Sequence, residues 1–467
     1  MLLLRIVTNV NHDSPDIPAV RLGSSVEKAD KSWRRLLRPI GLVLTIAFAV
    51  AGVVGLRPNN AHIGLYSTSV GILANGDRVL VQDKGHFYLD SRVIKTQNGG
   101  TAEARAALLQ RNWLAAGTIP MAQSRFGDMS RDALLDINTL TVPSGGVVAA
   151  WSDHWRYIWP RDAAFAAAAL AQTGHVTDAL RNLEFLQGVQ APDGTFQARY
   201  LPDGSGFPDD RGVQLDGIGW SLWGSYWTIS HAGTPSAQRS AANRIQTLIS
   251  KSTEAAVRLT EGPDRLPPVS SDYWETKETK LTLGTAAAML SGLRSAAAIQ
   301  AILGDRKANQ QLTDHANEVE TAIHQRFGPE GYPRTVGGKR DTAVAFLLPP
   351  FQPRVNDSVL KAFSLAADEM RRPAGGLAPG AGWKDDGISW TPETAIFALV
   401  SAHVGDTQRA DKRLDWLNEH RTSDGSLPEK VLHDGSPAAV APLAWTSATV
   451  LLTLAQICQA EPMRCPS

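Results

Sequence analysis

Two glutamates with unusual neighbours carry the strongest chemical signal in this chain. Glu275 stands in Ser271-Asp272-Tyr273-Trp274-Glu275, and Glu429 in Leu427-Pro428-Glu429-Lys430. Each lies in a loop just before an Ala/Leu-rich stretch of helical character. Trp159-Pro160-Arg161-Asp162 opens another such stretch in the same way. Catalysis by a carboxyl pair needs one protonated and one ionised group facing each other across a bond, and loops on a rigid scaffold can supply them. Taken singly, each residue also has a plainer reading. An Arg-Asp pair at a helix start is a cap with a local ion pair, because acids favour helix N-termini. Glu393 reads as the same kind of first-turn acid, and Asp216 and Asp341 as capping and positioning groups. Glu278 reads as a solvated neighbour of Glu275, and Lys430 and His433 as surface groups beside Glu429.

The elements that must position these residues are legible from periodicity. Apolar residues recur at helical spacing, as in Val176, Leu180, Leu183 and Leu186, or Ala410, Leu414 and Leu417. Helical stretches are predicted near 128–141, 159–173, 175–190, 216–232, 235–261, 281–303, 308–327, 341–348, 355–372, 391–404, 407–420 and 442–460. They fall into pairs, one member Ala-rich and apolar around most of its surface, the other amphipathic. That pattern predicts an inner ring of buried helices and an outer ring with one solvated face. Longer Gly/Pro/Trp-rich loops precede the inner helices, at one end of the barrel, and ligand sites are commonly built on such loops.

Upstream, residues 57–124 read as a short β element with a linker helix over 102–116. Val70 to Asp83 carries Asn75-Gly76 between apolar runs, a hairpin signal, and His86 to Lys95 could add another strand. Residues 39–56 form an uncharged, mostly apolar run at the lower end of a membrane span, preceded by Lys31, Arg34, Arg35 and Arg38. The positive-inside rule makes 1–38 a cytoplasmic tail and 39–56 a single-pass signal anchor, with the bulk of the chain outside the cell membrane. A cleaved signal peptide is the alternative, since Ala47-Phe48-Ala49 is an acceptable processing site. Cys458 and Cys465 are spaced to staple the tail at 461–467 to the last helix, with free thiols as the other reading.

Composition narrows the classes. The chain has 467 residues, 43% hydrophobic and 20% charged, with Lys plus Arg and Asp plus Glu both 46. That is a globular balance with ample core and no basic stripe for nucleic acid. Thirteen Trp against seven Tyr fits stacking on pyranose faces or large core and interface residues equally well. The chain has no HExxH, no paired CxxC, no phosphate-cradling GxGxxG and no GxSxG elbow, which leaves zinc protease, nucleotide enzyme and serine hydrolase readings unsupported. No cofactor and no metal are expected.

The motifs in register resemble glycoside hydrolase family 15, which contains glucoamylases, glucodextranases and some trehalases. The resemblance runs from Trp151-Ser-Asp-His-Trp-Arg-Tyr-Ile-Trp159-Pro-Arg-Asp162 through Gln190 to Tyr200 and Gln214 to Gly219. It continues through Asp272-Tyr-Trp-Glu275, Asp341-Thr-Ala343, Leu427-Pro-Glu-Lys-Val431 and Pro442-Leu-Ala-Trp445, so it spans about 125–460. It implies an all-α (α/α)6 barrel, a six-hairpin toroid, and exo-acting, inverting hydrolysis of an α-linked oligo- or polysaccharide. Carried over by position, Glu275 resembles the general acid, its carboxyl pKa raised by burial beside Trp274. Glu429 resembles the general base that activates water, which for inversion sets the two carboxyls about 6.5–9.5 Å apart. Arg161 and Asp162 resemble the pair that holds the terminal sugar's hydroxyls, and Trp159, Trp274, Trp390 and Trp445 would line the pocket.

The chain departs from the family in three places. Trp445 is followed by Thr446-Ser447 rather than Ser-His. Gly376-Leu-Ala-Pro-Gly-Ala-Gly-Trp-Lys384 stands where an Arg-Tyr pair is usual. The short β element replaces the large N-terminal β-sandwich common in bacterial relatives. An outward-facing tethered barrel points to cell-envelope or capsular polysaccharide. Two other readings stay open on the same barrel: a glycoside phosphorylase, and a non-catalytic carbohydrate-binding or envelope protein.

Overall fold

The computed structural model describes residues 60–97 and 99–465, all within one compact unit, Pro58–Ser467. The expected membrane anchor at 39–56 lies outside the described residues.

Among the described residues, thirteen α-helices and one 3-10 segment account for the predicted helical pattern. They are α1 (Thr101–Ala115), α2 (Gly127–Leu140), α3 (Pro160–Gln172), α4 (Val176–Val189), α5 (Asp216–Ser230), α6 (Pro235–Arg244) and α7 (Gln246–Thr260). After these come α8 (Leu283–Leu303), α9 (Arg306–Phe327), the 3-10 segment Thr342–Leu347, α10 (Asp357–Glu369), α11 (Thr391–His403), α12 (Thr407–Glu419) and α13 (Ala444–Ala460). Two expectations are corrected. The stretch 235–261 is two helices, because Ile245 leaves helical geometry (φ −112°, ψ 25°) and is fully buried. The stretch 341–348 is a tight 3-10 segment, cut short by Pro349-Pro350.

The helices close on themselves. α3 packs on α5, α5 on α8, α8 on the 3-10 segment, that segment on α11, α11 on α13, and α13 back on α3. This inner ring is buried almost all round, as in α3, where every residue from Pro160 to Ala171 is buried. Small residues allow the close approach. A Cβ on Gly219 of α5 would sit 1.9 Å from the Ala288 carbonyl oxygen, and one on Gly292 of α8 would sit 2.6 Å from the Gly219 Cα. α8 is the one helix among the described residues long and apolar enough to cross a membrane, and its place is in this ring. Outer helices bury a single stripe, such as Leu312, Ala316, Val319, Ile323 and Phe327 on α9, the mark of a helix with one solvated face. Phe165, Trp220, Trp223, Phe346 and Phe351 pack against one another inside the ring and fill its axis.

The β element is a hairpin, β1 (Ser69–Ile72) with β2 (Arg78–Val81), turned at Asn75-Gly76 with Gly76 at φ +88°. His86 to Lys95 folds back through single bridges, Phe87 to Ile94 and Ile72 to Val93, rather than as a regular strand. A second, three-stranded ribbon matters more for the site: β3 (Ser389–Trp390), β4 (Lys430–Val431) and β5 (Pro437–Ala438), in the order β3-β4-β5. Residues 64–66 extend it, with the Tyr66 amide donating to the Ala439 carbonyl (2.8 Å) and the Ala439 amide to the Gly64 carbonyl (3.0 Å). Cys458 and Cys465 are joined in a disulfide that ties the tail to α13.

Candidate active site

A cavity of about 290 Å³ opens where the inner helices begin. Trp159, Arg161 and Asp162 enter it from the first turn of α3, where Pro160 occupies the first helical position and costs no hydrogen bond. Trp274 and Glu275 come from the loop before α8, Trp390 and Glu393 from the start of α11, Glu429 and Lys430 from the start of β4, and Trp445 from α13. Thus all eight residues singled out as catalytic or sugar-binding line this one cavity. Tyr273 and Trp445 close its inner end, packed on Phe346 and Phe165 of the filled axis.

The Arg161-Asp162 pair is both the helix-start ion pair and part of the cavity wall. Arg161 Nη2 donates to Asp162 Oδ2 at 2.9 Å, and the guanidinium lies 4.5 Å over the Trp445 ring. Its Nε and Nη1 have no partner, although buried. Burial raises the Asp162 pKa, against the pull of Arg161.

Glu275 is held by an unusual loop. Its backbone sits at φ +55°, in the left-handed region that non-glycine residues seldom adopt. The turn is fixed by its own amide donating to the Asp272 carbonyl (2.8 Å) and by the Trp274 amide donating to Asp272 Oδ1 (3.0 Å). Behind the loop lies Arg334, whose Nη1 donates to Asp272 Oδ2 (2.8 Å) and Asp341 Oδ2 (2.9 Å), and whose Nη2 donates to Asp272 Oδ1 (2.6 Å) and Glu278 Oε1 (2.7 Å). The same guanidinium stands 3.9 Å over the Trp274 ring. Burial raises the Glu275 pKa, partly offset by Arg161 at 3.9 Å and by an ion pair with Arg211. Arg211, which lies in the loop before α5, also reaches Asp209.

Glu429 is placed by the ribbon. Its amide donates to the Val440 carbonyl and its carbonyl accepts from the Thr391 amide (3.0 Å), tying the loop to the start of α11. Oε1 accepts from Trp155 Nε1 at 3.1 Å, and Lys430 Nζ stands 3.2 Å from Oε2.

Four residue readings change. Lys430 is no surface group: it lines the cavity, pairs with Glu429 and lies 4.3 Å over the Trp390 ring. Glu393 is no mere helix-start acid: only 3% exposed, it forms part of the cavity wall, and burial pushes its pKa up to about 8. Glu278 is not simply solvated, since it pairs with Arg334. Asp216, at the first position of α5, is buried with Oδ2 unpartnered, and its pKa is pushed up to about 7 by burial. Asp341 does cap its segment, accepting from the Ala343 amide, while also joining the Arg334 network. His433 is not among the residues that line the cavity.

Arg199, Arg211, Trp155 and Trp383 line the cavity without having been singled out from sequence. Trp383 comes from the Gly376–Lys384 stretch and meets Trp274 and Trp390 edge-on, at 4.8 and 5.7 Å between ring centroids. Its signal was present, as a lone Trp in a Gly/Pro-rich loop before an inner helix. Six of the thirteen tryptophans face the cavity while Trp220 and Trp223 are core, so both readings of the Trp surplus hold. The Nε1 atoms of Trp274, Trp383, Trp390 and Trp445, together with Glu393 Oε2, are buried without partners. Orphaned donors on apolar rings suit a ligand that is apolar on its faces and hydroxylated at its edges. Among the described residues, no group of three or more His, Cys, Asp or Glu is disposed to hold a metal ion.

No family model matches the chain. One curated relative, an uncharacterized glycosyl hydrolase of Methanocaldococcus jannaschii, is 22% identical over 358 residues, covering 69% of this chain. The chain spans about half, 55%, of that relative's length. Among solved structures, a wild-type glycosidase superposes with a TM-score of 0.61 at 20% identity, over 74% of this chain and 98% of the other. A bacterial glucoamylase complexed with acarbose gives 0.60 at 16% identity, over 79% and 63%. A glycoside hydrolase family 15 glucoamylase from Hypocrea jecorina gives 0.57 at 15%, over 74% and 72%. At these identities the likeness is one of fold, and the fold this chain shares is that of the glucoamylase-like glycosidases, glycoside hydrolase family 15 among them.

Proposed function

We propose that this protein is an exo-acting, inverting glycoside hydrolase that removes terminal sugars from an α-linked glycan, tethered to the cell membrane through residues 39–56. The observation that carries the reading is the convergence of Glu275 and Glu429, from separate loops, on one cavity lined by six indoles. Glu275, its pKa raised by burial, holds the proton that the leaving oxygen needs. Glu429, from another loop of the same cavity wall, takes the proton of the attacking water. Arg161 and Asp162 hold hydroxyls at the closed inner end, and that closure supports attack on chain ends. The glucoamylase and glycosidase neighbours favour a glucose-containing substrate, and the outward topology expected from residues 31–56 favours an envelope or capsular polysaccharide.

The test is product analysis by NMR on α-glycans and envelope polysaccharides, with and without phosphate. Release of a β-configured monosaccharide, reduced by about 10²–10⁴-fold in both Glu275→Gln and Glu429→Gln, is expected. Release that requires phosphate would make it a phosphorylase. Saturable sugar binding without turnover would make it a binding protein.

A further inference from the structure

We propose that Glu393 is a fourth working carboxyl of this cavity, beside Glu275, Glu429 and Asp162: held as the neutral acid, it donates a hydrogen bond to a ring hydroxyl of the bound sugar, alongside the free donors of Arg161. The inference rests on the glycoside reading above and deepens it, because it assigns the substrate contact a proton state. Glu393 sits in the first turn of α11, and its buried Oε2 has no partner, like the Nε and Nη1 of Arg161 in the same wall. The titratable and charged groups facing it are Glu429 and Lys430 from the β4 ribbon and Arg161 from α3. α13 contributes Trp445 to the cavity and Thr446, bonded to Thr391 Oγ1, neither of which changes charge in this range.

Those surroundings decide the proton state. Of the charges that face Glu393, Arg161 is paired with Asp162 and Lys430 with Glu429. A further carboxylate would be buried without a counter-charge, which the protein avoids by keeping the proton. Burial is the main cause of its pKa of about 8, and Glu429 adds to it. A buried carboxylic acid kept neutral becomes a hydrogen-bond donor rather than an acceptor. At neutral pH, then, Arg161 and Glu393 both offer hydrogens to hydroxyl oxygens, and above pH 8 Glu393 loses its own.

The experiment uses the full-length protein carrying Glu275→Gln, which stops turnover and removes one competing titration, with maltose as the probe. Affinity is expected to fall about tenfold between about pH 6 and about pH 9.5, the size of one lost hydrogen bond. Adding Glu393→Gln, whose amide donates at every pH, keeps affinity within about twofold across that range. Adding Glu393→Ala weakens binding by about tenfold at both values. An unchanged pH fall in the Gln variant, or full affinity in the Ala variant, overturns the proposal. Infrared difference spectra separate this from failure of the glycoside reading. A protonated-carboxyl band that disappears with Glu393→Gln is expected at the lower pH, and its absence overturns the proposal whether or not sugar binds. If the band is present but no sugar binds, the glycoside reading falls, and the hydroxyl contact falls with it.

Discussion

One added methyl group at Gly380 should disable this site from outside the cavity. A Cβ there would lie 2.6 Å from Cζ2 of Trp274 and 2.7 Å from Cβ of Asp341. Ordinary contact is 3.4–4 Å, so the indole must withdraw by 0.8–1.4 Å. It has little room: Arg334 covers one face at 3.9 Å and Trp383 abuts it edge-on at 4.8 Å. Trp274 adjoins Glu275, whose φ of +55° leaves the backbone between them poorly able to absorb the shift. A displacement of about 1 Å in a catalytic group costs about 10²-fold in rate, and overpacking alone costs about 1–3 kcal/mol of stability. Gly380→Ala should therefore lower kcat/KM 10- to 100-fold, within that estimate, while the protein stays folded. The assay is release of reducing sugar alongside circular dichroism. Gly382→Ala is the control, because its Cβ would meet nothing nearer than Lys339 Cβ at 3.9 Å. Activity of Gly380→Ala within twofold of the parent would refute the reasoning, as would an equal loss in Gly382→Ala.

Two further perturbations test the electrostatics. Arg211→Gln removes a cation that favours ionised Glu275, so the Glu275 pKa should rise further. The alkaline limb of the kcat/KM profile, set by loss of the acid's proton, should then move to higher pH, and a downward move would contradict the assignment. Arg334→Met leaves Asp272 and Asp341 buried without their cation, and breaking such a cluster costs about 3–5 kcal/mol. Denaturant unfolding should show that loss, with Arg334→Lys recovering only part, since an ammonium cannot reproduce the forked contacts.

Much of the fold was legible because its signals are local. Periodicity separated buried from amphipathic helices, since an inner helix needs apolar surface all round and an outer one only a stripe. The Asn75-Gly76 turn was equally readable, because φ > 0 restricts which residues can occupy it. The break at Ile245 was not legible, for no proline or glycine marks it and a single residue leaving helical geometry is all that separates the two helices. Glu393 was misread for a related reason. An acid in a first turn is stabilised by the helix wherever the helix points, and nothing local tells whether the turn faces water or a cavity.

By itself the sequence singled out residues of suitable chemical type that the fold brings to one cavity: two glutamates in Trp- and Pro-flanked loops, an Arg-Asp pair at a helix start, and a surplus of indoles. Register along the chain was enough to name Glu275, Glu429, Arg161 and Asp162. Only the tertiary structure decided which other charges join them, because Arg211, Lys430, Glu393 and the Arg334 cluster meet the site across the ring rather than along the chain. Proton states follow the same division. A carboxyl's pKa is set by burial and by charges a few ångströms away, and those distances exist only once the inner helices have closed.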